Sequence, residues 1–248
     1  MSPMARDGLV LIDVPGGKAL VDTGSPYSFG DVPSLVLRSQ TFDLPRSRLL
    51  ADVRAHTTPD LVALIGMDVL GRFDLEFFPD PATGRLEVEF LLHGETPVHF
   101  AARSGPSDLS DPFVQLLVEP LFGSVPAIRL PLGGIDTICI LDTGAHVQYV
   151  HDEAVRGLRP HARRMDFLPE QGEFETTTYL LDVPLQGHME TMEFGTLPPL
   201  HAMTLSLLGG KWCILGTDFL RRGVSVLTPG GFRMAGLRIG EFPYNRRR

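Results

Sequence analysis

The chain has 248 residues, with 22 basic and 30 acidic side chains and a formal net charge of −8. The negative charge falls on both halves of the chain and no basic patch stands out, so the composition argues against nucleic-acid binding. No apolar run approaches the ~18 residues of a membrane-spanning helix, and the N-terminal run GLVLI is too short for a signal peptide. We therefore expect a cytoplasmic protein.

Glycine and proline punctuate the sequence. The 26 glycines and 21 prolines lie between short aliphatic runs. This pattern favours short strands joined by many turns over long helices. It predicts an all-β chain with few short helices.

The first predicted element is a hairpin near the N-terminus. The aliphatic run GLVLIDV is followed by Gly16-Gly17 and by a second run, KALV, which ends at Asp22-Thr23-Gly24. A strand, a glycine turn and a returning strand predict a β-hairpin. Alone, Asp-Thr-Gly is an ordinary way to leave a strand, because Asp and Gly both favour turns.

A second motif follows in the segment ALIGMDVLGRF, where aliphatic residues precede Gly66 and a short helical turn. We expect Asp68 to be the N-cap of that turn, accepting hydrogen bonds from exposed backbone N–H groups. The next segment, RFDLEFFPDPATGRLEVEF, alternates apolar and polar residues around a Pro/Gly turn and predicts another hairpin. The stretch ARSGPSDLSDP is typical of a linker.

Both motifs then occur a second time in the same order. Asp142-Thr143-Gly144 ends a hairpin predicted from VPAIRLPL and the Gly133-Gly134 turn, and CILGTDFLRRG repeats the glycine motif with Gly216 and a second expected N-cap, Asp218. A final hairpin is predicted in GVSVLTPGGFRMAGL. Two motifs repeated in one order indicate an internal duplication. The predicted organisation is a first copy of residues 1–101, a linker of residues 102–112 and a second copy of residues 113–248.

The second copy is longer between its two motifs. The aspartate of the first motif and the glycine of the second are 44 residues apart in the first copy and 74 in the second. The additional residues predict a helix around HDEAVRGL and a long hairpin in MDFLPEQGEFETTTYLLDVPL. Its turn is expected at residues 169–172 and its returning strand, rich in Thr and aliphatic residues, at residues 174–185.

These repeated motifs resemble those of the aspartic peptidases, both the retroviral (retropepsin) type and the two-lobed pepsin type. In that family each lobe supplies one Asp-Thr/Ser-Gly loop after an aliphatic strand, and a later aliphatic-aliphatic-Gly segment passes beside the loop. The Gly-x-Asp-x-Leu form is closer to retropepsin-like proteins, while duplication within one chain is similar to pepsin. The resemblance implies two β-barrel lobes related by a pseudo-twofold axis, with Asp22 and Asp142 meeting between them.

The resemblance also implies a reaction that needs two carboxyl groups in contact. Two like charges about 3 Å apart do not both ionise readily, so the pair shares one proton and titrates as a unit. The ionised acid would act as general base on a water that attacks a peptide carbonyl, and the protonated acid would stabilise the oxyanion and protonate the leaving nitrogen. The expected activity is an aspartic endopeptidase with Asp22 and Asp142 as catalytic residues and no cofactor.

The other residues of the two loops have expected supporting roles. Gly24 and Gly144 let the backbone approach, so that amide N–H groups point at the carboxylates. By the family's pattern, Thr23 and Thr143 would be buried and would hydrogen-bond across the interface between the lobes.

Two further glycines, and one position at which the two copies carry different residues, complete the expected site. Gly66 and Gly216 would pack against the catalytic loops, where a side chain would clash. The residue after each motif differs, since Ser25 follows the first and Ala145 the second. A serine there is able to hydrogen-bond the acid and favour its ionisation, whereas an alanine is not. This difference is a candidate determinant of the pH optimum.

The departure from the family lies in the flap, the hairpin that covers the cleft and holds the substrate through main-chain hydrogen bonds. Only the second copy has room for a full hairpin, with Gly172, Glu173 and Phe174 near its tip. In the first copy, RSQTFDLPRSRLLADVRAHTTPD holds at most a shortened one. Two alternatives therefore stay open: a peptide-binding or scaffolding protein of the same fold that cleaves nothing, and a processing peptidase dedicated to one partner protein.

The expected partner is a peptide or protein substrate, with no nucleic acid and no membrane. One chain already carries both acids, so the chemistry does not require a dimer and we expect a monomer. The eight histidines show no metal-ligand spacing, so no metal site is expected. Cys139 and Cys213 are expected on buried strands as small hydrophobic side chains, and a disulfide between them would require those strands to be neighbours.

Overall fold

The structure is a computed structural model that describes residues 8–103, 113–117, 124–169, 171–185, 188–206 and 210–235. It is mostly β, with 49% strand and 16% helix, and its helices are few and short. The predicted all-β class is confirmed. Within the described part of the chain, no helix is long and apolar enough to cross a membrane.

The strands and helices follow one another in short segments. In chain order, the strands are β1 (Leu11–Val14), β2 (Gly17–Val21), β3 (Phe29–Gly30), β4 (Ser34–Leu37), β5 (Gln40–Asp43), β6 (Leu61–Ile65), β7 (Asp74–Pro79), β8 (Leu86–Leu91), β9 (Phe113–Leu117), β10 (Ser124–Leu132), β11 (Ile135–Leu141), β12 (Gln148–Val150), β13 (Ala162–Leu168), β14 (Gly172–Leu185), β15 (His188–Gly195), β16 (Lys211–Leu215), β17 (Val224–Thr228) and β18 (Gly231–Ala235). The α-helices are α1 (Leu49–His56), α2 (Met67–Leu70), α3 (Val98–Arg103), α4 (Pro199–Ser206) and α5 (Thr217–Leu220).

A four-stranded sheet in the first copy positions the first Asp-Thr-Gly loop. Its strand order is β1-β2-β6-β3. β1 and β2 form the predicted hairpin, and Gly16 at its turn has φ +91°, a conformation that favours glycine. β6 runs parallel to β2, with Val21 opposite Ile65. Because neighbouring parallel strands end at the same edge, the loop that follows β2 lies beside Gly66, which follows β6.

The second copy repeats this arrangement inside a larger sheet. Its eight strands run in the order β13-β14-β15-β12-β16-β11-β10-β9, so β10, β11, β16 and β12 correspond to β1, β2, β6 and β3. β11 is parallel to β16, with Leu141 opposite Leu215. The second Asp-Thr-Gly loop therefore lies beside Gly216 for the same reason. The added strands β13, β14 and β15 account for the greater length of this copy.

A third sheet joins the two copies. Its order is β18-β17-β7-β8, so a hairpin from each copy meets the other along β7 and β17. Leu75 lies opposite Leu227 across this junction, and both side chains are buried. The main hydrophobic cluster contains buried residues of both copies. The two halves of the chain thus share one core.

The prediction that Asp68 and Asp218 are N-caps is wrong. Gly66 and Gly216 occupy the N-cap positions, and the aspartates lie one residue inside α2 and α5. The physical reason is that backbone carbonyls of the Asp-Thr-Gly loop beside each helix satisfy the exposed N–H groups. The N–H of Met67, for example, donates to Ser25 O at 2.8 Å.

The two remaining local predictions differ in detail from the structure. The helix expected around HDEAVRGL is a single 3₁₀ turn (Asp152–Val155), and Gly157 follows with φ +82°. The first two residues of the predicted linker belong to α3, while residues 104–112 lie outside the described part of the chain.

Both cysteines are buried on neighbouring strands. Cys139 lies directly opposite Cys213 on the parallel pair β11 and β16, and both are free thiols. The prediction that they are small buried side chains is confirmed. Burial, followed by the contact with Cys139, raises the pKa of the Cys213 thiol well above its ordinary value.

The sheet that joins the copies should carry much of the stability. Leu75→Ala removes a side chain that is 1% exposed, so we expect the free energy of unfolding to fall by about 2–5 kcal/mol. The matched control is Leu180→Ala in β14, where the side chain is 44% exposed and the loss should stay below about 1 kcal/mol. Urea unfolding of both variants measures this difference, and equal losses would contradict it.

Candidate active site

The two Asp-Thr-Gly loops are held at the ends of their strands in the same way. The N–H of Asp22 donates to Ile65 O at 3.0 Å, and the N–H of Asp142 donates to Leu215 O at 3.0 Å. Each loop is therefore attached to the last residue of the parallel strand beside it. This attachment fixes the backbone position of each aspartate relative to its sheet.

The two threonines tie the loops to each other. Thr23 Oγ1 donates to Leu141 O at 2.7 Å, and Thr143 Oγ1 donates to Val21 O at 2.6 Å. Each hydroxyl also accepts the backbone N–H of the other threonine at 3.0 Å. Both side chains are buried, so the four hydrogen bonds are shielded from water. A neutral buried hydrogen bond contributes about 0.5–1.5 kcal/mol, and four of them hold the two loops in one relative position.

The aspartates that precede the threonines meet between the loops. The Asp22 and Asp142 side chains are hydrogen-bonded to each other. The following glycines leave the space for this contact. A Cβ on Gly24 would lie 2.3 Å from Asp142 Cγ, and a Cβ on Gly144 would lie 2.6 Å from Asp22 Cγ. Any residue larger than glycine at either position would displace the opposite carboxyl group.

Backbone N–H groups of the loops point at the carboxylates. Asp22 Oδ1 accepts from Gly24 N at 3.0 Å and from Ser25 N at 2.9 Å. Asp142 Oδ1 accepts from Gly144 N at 2.8 Å, and the N–H of Ala145 also stabilises its ionised form. These donors orient each carboxyl group and favour negative charge.

The expected role of the Ser25 hydroxyl is wrong. Its Oγ donates to Tyr27 O at 2.9 Å within the same loop, and only its backbone N–H reaches Asp22. The nearby carbonyl satisfies the hydroxyl locally. The difference between serine and alanine after the two motifs therefore does not give Asp22 an additional hydrogen bond.

The two acids perturb each other's ionisation. Burial raises the pKa of Asp22 well above its ordinary value, and the charge of Asp142 and the hydrogen bond to it act in the same direction. Burial also raises the pKa of Asp142, although the N–H of Gly144 and the hydrogen bond from Asp22 oppose the shift. Both residues keep partial solvent exposure. The pair therefore retains one proton at a pH where an isolated aspartate is ionised.

The two repeated glycines pack against the loops. A Cβ on Gly66 would lie 2.5 Å from Tyr27 O, and one on Gly216 would lie 2.5 Å from Ala145 O. Backbone atoms cannot move aside as the end of a flexible side chain can. Both positions therefore require glycine if each loop is to keep its place.

The long hairpin of the second copy is formed by β13 and β14. Leu168 lies opposite Gly172, which has φ +83°, and the turn between them spans residues 169–171, of which residue 170 is outside the described part of the chain. Glu173 next to the turn is exposed. Phe174 is partly buried and packs near Tyr149, with 6.1 Å between ring centroids. Of the three predicted tip residues, Phe174 therefore has a packing role.

The first copy carries a short hairpin, of which β5 lies in the segment expected to hold at most a shortened one and β4 lies just before that segment. β4 and β5 pair over four residues each, and Arg38 and Ser39 at their turn both have positive φ. The helix α1 follows the hairpin and contacts β6. The two copies therefore differ most in the elements between their repeated motifs.

Two contacts of the long hairpin were not predicted. The His56 ring at the end of α1 stacks on the Phe167 ring of β13, with centroids 3.6 Å apart. Asp166, buried in the same strand, accepts hydrogen bonds from the Tyr149 hydroxyl and from Phe167 N, and its charge raises the pKa of Asp142. The sequence signal was an acid between the apolar residues Met165 and Phe167. Nothing in the sequence pairs His56 with Phe167, because they belong to different copies.

Comparison of the chain with protein-family models finds no match, and comparison with curated proteins finds none either. The residues and their geometry are therefore the basis for a functional assignment.

The threonine hydrogen bonds should stabilise the whole fold. Thr23→Val keeps the side-chain shape but leaves Leu141 O and Thr143 N without a partner, so we expect a loss of about 1–3 kcal/mol in the free energy of unfolding. Thr23→Ser keeps the hydroxyl and should lose less. The double variant Thr23→Val/Thr143→Val should lose less than the sum of the single variants, because both changes break the same network. Urea unfolding is measured for the wild type, the three single variants and the double variant, and strict additivity would count against a shared network.

The raised pKa of Asp22 should make stability depend on pH. Because the pKa of Asp22 is raised in the folded protein, the stability that its proton provides is complete below the ordinary value of 3.8. It is lost as the pH rises through the raised folded value. Asp22→Asn removes this titration, so the free energy of unfolding of the variant minus that of the wild type should increase from about pH 4 to 7. Unfolding in urea across this range measures the difference, and a constant difference would exclude a raised pKa.

Proposed function

We propose that this protein is an aspartic endopeptidase in which Asp22 and Asp142 hydrolyse peptide bonds through a water molecule activated between them. One observation carries the proposal: two Asp-Thr-Gly loops from different copies are tied together by four reciprocal hydrogen bonds, and their carboxyl groups meet with the pKa of both raised. This arrangement supplies a base and an acid at one point. Peptide hydrolysis by water needs both.

The proposal includes the fold of the aspartic peptidases, with two β-lobes related by a pseudo-twofold axis and the acids between them. Two observations support it. The strand order β1-β2-β6-β3 is repeated as β10-β11-β16-β12, with the same parallel pair next to each Asp-Thr-Gly loop. The threonine hydrogen bonds are also reciprocal, with nearly equal lengths in both directions.

The chemistry follows from the state of the acid pair. With one proton shared, one carboxylate is able to accept a proton from a water as that water attacks the peptide carbonyl carbon. The other carboxyl group then donates to the developing oxyanion, and the proton taken from water passes to the leaving nitrogen. The N–H donors of Gly24, Ser25 and Gly144 hold the carboxyl groups in place during these transfers. Such fixed donors need no reorganisation at the moment of reaction.

The long hairpin of the second copy is the proposed flap. Phe167 near its tip stacks on His56 of the first copy, and Asp166 in the same strand acts electrostatically on Asp142. The hairpin therefore lies close to the acid pair and reaches the opposite copy. A hairpin in this place would bind an extended substrate through its main chain and exclude water from the acids.

The test is cleavage of a mixed peptide library at several pH values from about 4 to 8, a range that covers the coupled titration steps of an acid pair. We expect the wild type to cleave. Asp22→Asn and Asp142→Asn should each reduce the rate by about 10²–10⁴ or more, because each removes a proton-transfer group. The matched control is Asp136→Asn, an exposed aspartate on the strand that leads into Asp142, which should cleave like the wild type.

Absence of cleavage by folded wild type at every pH would contradict a general endopeptidase. Incubation with candidate partner proteins then separates the two alternatives. Fragments that depend on both acids would indicate a processing peptidase dedicated to one partner, whereas binding without fragments would indicate a peptide-binding or scaffolding protein.

A further inference from the structure

A second group of ionisable side chains lies on the sheet that joins the two copies. Glu76 of β7 is directly opposite Glu89 of β8, and on its other side it is opposite Val226 of β17. Residues opposite each other in antiparallel strands project from the same face. The helix α3 packs against β7, β17 and β18. Two carboxylates therefore share one face of the sheet without an intervening residue.

Glu76 is fully buried, with 0% of its surface exposed. Its neighbours on this face form an apolar cluster that includes Phe100 and Val226. One carboxylate oxygen, Oε1, accepts the N–H of Phe100 at 2.5 Å. The other, Oε2, is buried and has no hydrogen-bond partner among the residues that the structure describes. Burying a charged oxygen without a partner costs several kcal/mol, so this oxygen points to a missing positive charge.

His99 of α3 brings a third ligand to the same place. Its imidazole stacks on the Phe78 ring at 3.8 Å between centroids and 13° between planes, which fixes the orientation of the ring against the sheet. One ligand atom each from Glu76, Glu89 and His99 lies within 4.8 Å of the other two. Glu89 is partly exposed and His99 is exposed, so an ion in solution has access to the group.

No described side chain neutralises the two carboxylates. Arg233 of β18 lies opposite Val226, and its guanidinium is placed over the Phe100 ring at 5.1 Å. Within the described residues, neither Glu76 nor Glu89 forms an ion pair. Like charges directly opposite each other on paired strands are destabilising. The group therefore carries a local excess of negative charge next to an imidazole.

We propose that Glu76, Glu89 and His99 bind a divalent transition-metal ion, Zn²⁺ or Mn²⁺. Two carboxylates and one imidazole suit such an ion, whereas Mg²⁺ and Ca²⁺ prefer oxygen ligands alone. Bonds of about 2.0–2.2 Å place two ligands of one ion about 3–4.4 Å apart. Small side-chain rotations therefore bring the three groups into range, with water completing the coordination on the exposed side.

The ion would join the end of the first copy to the shared sheet. Glu76 and Glu89 come from β7 and β8, while His99 comes from α3, which extends into the start of the predicted linker. Coordination by all three would hold α3 against the sheet and offset the repulsion between the carboxylates. The sequence did not reveal this site, because the three ligands follow no metal-binding spacing and are brought together only by strand pairing and helix docking.

Titration calorimetry of the chelator-treated full chain with Zn²⁺, and separately with Mn²⁺, tests the proposal. We expect one ion per chain with a micromolar or lower dissociation constant, and a rise in the midpoint of thermal unfolding when the ion is present. Glu89→Gln and His99→Phe should each weaken binding at least tenfold. His99→Phe keeps a ring that is able to stack on Phe78, so its loss of binding would not reflect lost packing.

The controls are acidic and histidine residues close by but outside the group. Glu87→Gln, in the same strand as Glu89, and His93→Phe should bind the ion like the wild type. Absence of a one-to-one site in the wild type would overturn the proposal. So would binding that persists in both Glu89→Gln and His99→Phe, or binding that is lost equally in the two controls. None of these three results would bear on peptide cleavage, which depends on a different pair of acids.

Discussion

The structure depends on the reciprocal hydrogen bonds between two buried threonines. Thr23 and Thr143 each donate to a carbonyl of the other copy and accept the other's backbone N–H. Because the adjacent strands fix each loop, these bonds determine how the copies face each other as well as the position of the loops. The carboxyl groups one residue earlier then have no freedom to separate. Because both threonines are buried, water does not readily replace the hydrogen bonds between them.

This constraint forces an unfavourable contact that the surroundings only partly offset. Two partly buried carboxyl groups repel when both are ionised, and burial adds to the cost. The loop N–H groups stabilise negative charge, while Gly24 and Gly144 leave the acids room to touch. The result is a pair poised to hold one proton. The shared core and the sheet that contains strands of both copies offset the free-energy cost of bringing the two carboxyl groups together.

Much of this arrangement was predictable from local sequence. The hairpins that end in Asp22 and Asp142 follow from aliphatic runs around glycine turns, and the repeat of two motifs indicated which residues correspond. Contacts that depend on other segments were not predictable. The N-caps of α2 and α5 are glycines because a distant loop supplies the carbonyls, and the Ser25 hydroxyl bonds within its own loop. The stacking of His56 on Phe167 joins copies that share no local pattern.

The sequence by itself determined the β class, the duplication and the identity of the paired acids, because strand periodicity, turn residues and repeated motifs are properties of short segments. Only the tertiary structure decided that the pKa of each acid is raised, that Asp166 acts on one of them, and that Glu76 is buried with an oxygen lacking a partner among the described residues. Ionisation and ligand binding depend on distance and burial. Both arise when segments far apart in the chain pack together, and no segment specifies them alone.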